Sequence, residues 1–182
     1  MLSDKIKTYL ASGWFTPMQK DVMDKVRDIL ISFPEIDLFS PYYDGVVVTK
    51  ENDSPEMREK AFDSNIGNII DTGHLMHRKL LVAIIDDFEP GTMVEFGAAA
   101  VLSWMNKKGF SVVNNKSIMR WGISLPSIIA YSDVSGRGLN IMLQQAVWGF
   151  ANGAEQLINQ IQRYIKNDIP ANYLEYKKGD FV

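Results

Sequence analysis

Six consecutive apolar residues, Leu80-Leu81-Val82-Ala83-Ile84-Ile85, constrain the fold of this chain more than any other segment. A strand with one face in water alternates apolar and polar side chains. A continuous run needs burial on both faces, as in a parallel sheet covered by helices on each side. The run breaks into Asp86-Asp87-Phe88-Glu89-Pro90-Gly91, and the pattern beyond it predicts a helix from Thr92 to about Asn106.

The rest of the chain fits that frame. Lys5 to Ser12 reads as a strand with Ile6, Tyr9 and Leu10 as core residues, ended by Gly13. Thr16-Pro17-Met18-Gln19 reads as a helix start, with Thr16 as cap, Pro17 in the first turn and Gln19 completing a capping box. Met18, Val22, Val26, Ile29 and Leu30 follow at helical spacing, until Phe33-Pro34 stops the run. Ile36 to Phe39 is a second short strand, Pro41 to Gly45 a turn, and Val46 to Val48 an edge segment. A helix is predicted from Pro55 or Glu56 to about Ile70, then a short one carrying Leu75 and Met76. Phe110 to Val113 and Ser127 to Tyr131 are further strand candidates, and Asn114 to Gly138 is otherwise unassigned. Asn140 to about Lys166 reads as helical with an interruption around Gly149 to Gly153, and Asp168 to Val182 as irregular. Strands alternating with helices predict an α/β fold: a single domain over residues 1–182, with a mainly parallel central sheet flanked by helices, Rossmann- or flavodoxin-like.

Composition narrows the function. The 182 residues include no cysteine, which excludes thiol catalysis, thiolate metal sites and disulfides. Nineteen basic against 22 acidic side chains, a net charge of −3, argue against a nucleic-acid polymer as partner. No apolar run approaches the roughly 20 residues of a membrane span, and Met1 to Tyr9 lacks a signal-peptide core. A cytoplasmic protein is expected, with no membrane partner.

Sites in open α/β sheets lie beyond the carboxyl ends of the strands. The best strand therefore points at Asp86, Asp87, Glu89 and Glu95, four acids suited to acid–base or nucleophilic carboxylate chemistry. Thr92-x-x-Glu95 matches a capping box, which by itself accounts for a Glu there. A helix N-terminus also favours an ionised carboxylate, as a nucleophile requires. Gly97-Ala98-Ala99-Ala100 leaves room for that helix to pack close to the sheet. His74 and His77 lack a third ligand at suitable spacing, so no metal site is expected.

Three segments together resemble the nucleoside 2-deoxyribosyltransferases. They are Tyr9-Leu-Ala-Ser-Gly13-Trp14-Phe15, Glu89-Pro-Gly91-Thr92-Met-Val-Glu95-Phe-Gly97 and Gly138-Leu139-Asn140-Ile141-Met142, in matching order and approximate separation. The resemblance implies Glu95 as nucleophile and a carboxylate assisting at the base, for which Glu89 is the matching residue; the family usually has Asp there, so Asp86 and Asp87 stand as alternatives to Glu89. It implies Asp71 as a further acid and Tyr9 beside the nucleophile. It places Gly13, Trp14, Phe15 and Gly91 at the substrate, and Asn140 and Met142 in a neighbouring subunit's pocket. The implied substrates are a 2′-deoxynucleoside and a free nucleobase, with no cofactor, in a dimer-based homo-oligomer (tetramer or hexamer) with shared active sites. Nucleotide salvage is the implied role.

Two rivals follow from the same residues. An N-glycoside hydrolase of the superfamily acting on nucleosides or nucleotides would use Arg137 for a 5′-phosphate. A non-catalytic nucleotide-binding module is disfavoured by carboxylates at both Glu89 and Glu95.

Overall fold

The computed structural model describes residues 5–70, 79–107, 127–136, 138–139 and 141–166. Five strands, all parallel to their neighbours, form one sheet. They are β1 (Ile6–Ala11), β2 (Ile36–Phe39), β3 (Lys79–Ile84), β4 (Ser127–Ser132) and β5 (Gly149–Asn152), in the order β2-β1-β3-β4-β5. The α/β expectation holds. This order is that of flavodoxin-like doubly wound sheets, whose crevice opens where the order reverses, beyond β1 and β3. The helices are α1 (Pro17–Ile31), α2 (Pro41–Asp44), α3 (Pro55–Ile70), α4 (Pro90–Lys107), α5 (Ile141–Ala146) and α6 (Ala154–Ile165).

Every residue of β3 is buried, as the unbroken apolar run demands. Its side chains, with that of Ile85 just beyond the strand, divide between two cores. Leu80, Val82 and Ile84 join Met23, Val26 and Leu30 of α1 and Leu157 and Ile161 of α6 on one face. Leu81, Ala83 and Ile85 join Ile69 of α3 and Phe96 and Ala99 of α4 on the other. Ala11, Ala83 and Ala130 are register partners across three neighbouring strands, and all three lie in this second core. This row of methyl groups is the floor on which α4 rests. The residue of Gly97-Ala98-Ala99-Ala100 that is fully buried is Ala99, and a Cβ on Gly97 would meet nothing within 4 Å. The small residues that permit close packing are therefore chiefly in the sheet.

The capping box of α1 is present: Gln19 N donates to Thr16 Oγ1 and Thr16 N to Gln19 Oε1. Met18 is not a core residue. It is 70% exposed, and Met23, further along α1, is buried instead. Pro41 to Asp44 is one turn of helix, and Val46 to Val48 forms no strand. The interruption at Gly149 to Asn152 is an edge strand paired with β4. A Cβ on Gly149 would come within 2.9 Å of Gln160 Oε1, so α6 packs where a side chain would be, and Gly153, with φ +88°, makes the turn into that helix. Among the described residues no helix is long and apolar enough to cross a membrane. The expected short helix with Leu75 and Met76, the Phe110–Val113 strand and the segment after Asp168 lie outside the described residues.

Filling the alanine floor should cost stability. Ala83→Leu is expected to destabilise the protein by about 1–3 kcal/mol in denaturant titrations, the usual range for overpacking.

Candidate active site

Four elements converge at the carboxyl ends of β1 and β3. Tyr9 projects from β1 into the α4 core, and its hydroxyl donates to Glu95 Oε1 at 2.6 Å. Asn65, from the last turns of α3, donates through Nδ2 to the same oxygen at 3.2 Å. Glu95 is 8% exposed, and among the described residues its other oxygen, Oε2, accepts no hydrogen bond. The arrangement fixes one oxygen and leaves the other available.

Burial is the main influence on this carboxyl group and pushes its pKa up to about 7. The hydrogen bonds from Tyr9 and Asn65 pull the other way, by favouring the ionised form, and the nearby charge of Glu89 adds to the rise. Tyr9 is held far above the ordinary tyrosine range by burial, by the charge of Glu95 and by the hydrogen bond to it. It therefore stays protonated and serves as a donor.

Glu89 has a different position from the one Thr92-x-x-Glu95 suggests. Helix α4 starts at Pro90, so Thr92 lies inside its first turn and does not cap it. Glu89 is the cap. Its main-chain carbonyl accepts from Met93 N at 3.0 Å. Its Oε1 accepts from Gly91 N at 2.9 Å, and its Oε2 from Thr92 N at 2.6 Å and Thr92 Oγ1 at 2.9 Å. Glu95 is six residues beyond the cap, outside the first turn where a helix dipole acts. The two carboxylates are therefore unlike: Glu89 is held by the helix end, and Glu95 is buried.

Gly13 and Gly91 matter through close approach. A Cβ on Gly13 would lie 3.0 Å from both Glu89 Cγ and Gln19 Cδ, and one on Gly91 3.1 and 3.2 Å from the Glu89 oxygens. Glycine at both positions lets Glu89 settle on the helix end. Asp86 accepts from Ser132 Oγ and from Asp133 N at 2.9 Å, which ties β3 to the end of β4. Asp87 accepts from Gln19 Nε2. Trp14 is half-buried between Phe15 and Tyr42, with ring centroids 5.3 and 5.9 Å away, whereas Phe15 is 69% exposed. A crevice of about 210 Å³ opens beside Gly13, walled by Met18, Gln19, Asp86, Asp87 and Val134.

The structure thus brings together Tyr9, Glu95, Glu89, Gly13 and Gly91. Met142 is 76% exposed at the start of α5 and is no part of the buried Glu95 cluster. Asp71, Asn140, Arg137, His74 and His77 lie outside the described residues. Among the described residues, no group of three His, Asp or Glu could hold a metal ion. Asn65 was not foreseen, because its contact with Glu95 spans 30 residues and no local pattern announces it. The sequence marks Gln19 as a cap partner, and in the fold its Nε2 also donates to Asp87.

A buried acid with a raised pKa contributes stability that is full below its unfolded value and is lost as pH rises through its folded value. Here that window runs from 4.5 to about 7. Glu95→Gln keeps an acceptor for Tyr9 and removes the buried charge. It is expected to be more stable than the unaltered protein at pH 8, by up to about 3 kcal/mol, with the gain gone near pH 4. Thermal melts at the two pH values check this.

No family model and no curated protein matches the sequence. Among solved structures, the chain is similar to a 2-deoxyribosyltransferase from the psychrotolerant bacterium Bacillus psychrosaccharolyticus, described as a biocatalyst for nucleoside synthesis. The likeness covers 90% of this chain and 96% of that one, with a TM-score of 0.60 and 18% identity. At that identity it establishes a shared α/β fold.

Proposed function

We propose that this protein is a nucleoside 2-deoxyribosyltransferase, which exchanges the base of a 2′-deoxynucleoside through a deoxyribosyl–Glu95 ester. The observation that carries the reading is the buried Glu95 carboxylate, with Oε1 held by Tyr9 and Asn65 and Oε2 unengaged by any described residue. The fold shared with a 2-deoxyribosyltransferase supports it.

In this reading Glu95 Oε2 attacks C1′ of the sugar. The C1′–N bond breaks, and its electron pair stays on the base nitrogen. The transition state has oxocarbenium character; a nitrogen lone pair of a second base then attacks C1′, its N–H proton passes to the group that protonated the first base, and Glu95 is released as the carboxylate. Two inversions retain the anomeric configuration, as in retaining glycosidases. Tyr9 and Asn65 position the carboxylate. Glu89, anchored on the helix end, assists at the base, and Glu89, Asp71 or a bound water supplies the proton to the departing base. Gly13, Gly91, Trp14 and Phe15 shape the pocket. Asn140 and Met142 complete a neighbouring subunit's site in a dimer-based oligomer, a role that the exposure of Met142 supports. Water in place of the second base would make the enzyme an N-glycoside hydrolase. The low exposure of Glu95 favours transfer, because it limits water at the ester.

Incubation with one deoxynucleoside and a different free base, followed by chromatography, tests this. A new deoxynucleoside is expected, and Glu95→Ala should lose several orders of magnitude in rate. Free base and sugar alone would favour hydrolysis. No turnover of purine or pyrimidine donors, or full activity in Glu95→Ala, would contradict the reading.

The attacking form is the carboxylate, so kcat/KM should rise with pH and level off above about 7. Tyr9→Phe removes a hydrogen bond that favours the ionised form, so its midpoint should move to higher pH. A midpoint that stays in place would show that this bond does not act on the nucleophile.

A further inference from the structure

Helix α4 lacks the charged outer face that its neighbours have. α1 turns Asp21, Lys25 and Asp28 to solvent, and α3 turns Glu56, Arg58, Glu59, Lys60 and Asp63. Between Pro90 and Trp104 the one charged residue is Glu95, and it is buried. The outward positions of α4 are apolar instead: Val94, Val101 and Trp104 are each more than half exposed. Trp104 also has an interaction within its own chain and keeps that exposure regardless. A helix that is apolar all round belongs in an interior, and a contiguous exposed apolar patch marks an interaction surface.

Two further observations say what covers it. The first is spacing. Val94, Gly97, Val101 and Trp104 stand at the a and d positions of a heptad seam. They are symmetric about position 99, and Ala99 is fully buried against the sheet, so the seam runs along the outermost line of the helix. A row symmetric about its own midpoint fits a reversed copy of itself. The second is Gly97. Glycine in mid-helix is destabilising relative to alanine, and a Cβ here would meet nothing within 4 Å, so packing in its own subunit does not call for it. In a reversed pair it shares a layer with the partner's Val101, and the missing side chain makes room for that one, as small meets large in an interdigitated seam. We infer that two copies of this chain pair antiparallel along α4 about a two-fold axis, Val94 layered with the partner's Trp104 and Gly97 with the partner's Val101. Such a contact is isologous and closes at two copies. α3 and α5 pack on α4 and carry two more exposed apolar side chains, Phe62 and Met142. They widen the surface towards the roughly 800 Å² per partner of a stable interface. The inference deepens the proposed function by naming the face of its dimer, but none of its evidence comes from the chemistry of Glu95.

The chain has no cysteine, so introduced thiols report the register without background. Sedimentation velocity of the unaltered protein is expected to show a dimer or a higher even oligomer. Oxidation of the double variant Val94→Cys, Trp104→Cys is expected to give a disulfide-linked dimer on a non-reducing gel. Neither single variant should do so, because in the pair the two copies of position 94, or of position 104, lie about 15 Å apart along the helix. Gly97→Leu raises helix propensity and should keep the circular dichroism of the unaltered protein, yet at least halve the sedimenting mass. Val101→Glu, at an exposed position, should do the same. A monomeric unaltered protein, no cross-link in the double variant, cross-linking by a single variant as efficient as by the double, or a mass that Gly97→Leu and Val101→Glu leave unchanged overturns the inference. Failure of the Glu95 reading looks different: the dimer and its cross-link form, but base exchange is absent or survives Glu95→Ala.

Discussion

Three methyl groups set how near α4 can lie to the sheet. Ala11, Ala83 and Ala130 share one register line on the face that Phe96 and Ala99 pack against. Larger side chains along that line would hold the helix away from β1. Glu95 rides on α4 and Tyr9 on β1, so the hydrogen bond between them, 2.6 Å long and spanning 86 residues, depends on this close approach. Core packing and site geometry are here one constraint. The opposite face carries larger residues, Leu10, Val82 and Ile129, where α1 and α6 supply bulk and no polar contact of this kind is needed.

The electrostatics follow from the same burial. A carboxylate moved out of water loses solvation, and two donors on one oxygen restore only part of it. The result is an acid poised near neutrality and costly to ionise. Six residues earlier, the oxygens of Glu89 are held instead by main-chain N–H groups at the helix start. Paired carboxylates in different surroundings are how a site divides roles between chemically similar groups.

The parts of this architecture set by local pattern were legible in the sequence. The run from Leu80 to Ile85 announced a strand buried on both faces, and Thr16 with Gln19 announced the start of α1. Edge strand β5 was hidden, because its four residues include a glycine and lie between two helical patterns. Thr92-x-x-Glu95 has capping-box spacing and points to a start at Thr92, whereas α4 begins at Pro90, a first-turn proline preceded by an acid. The site divides along the same line. Glu89 and Glu95 are near in sequence and fall on a strand-end loop and its helix, where topology predicts chemistry. Tyr9 came from resemblance, and Asn65 from neither, since a contact made 30 residues away depends on helix packing that no short motif encodes.

The central claim is that Glu95 forms a covalent bond to the sugar. Rapid acid quench of the protein with a deoxynucleoside and no acceptor base, followed by peptide mass spectrometry, reads this directly. The account predicts one deoxyribosyl unit on the peptide containing Glu95, lost when an acceptor base is added and absent from Glu95→Ala. Base exchange that proceeds with no such adduct, or with the adduct on another residue, would contradict it.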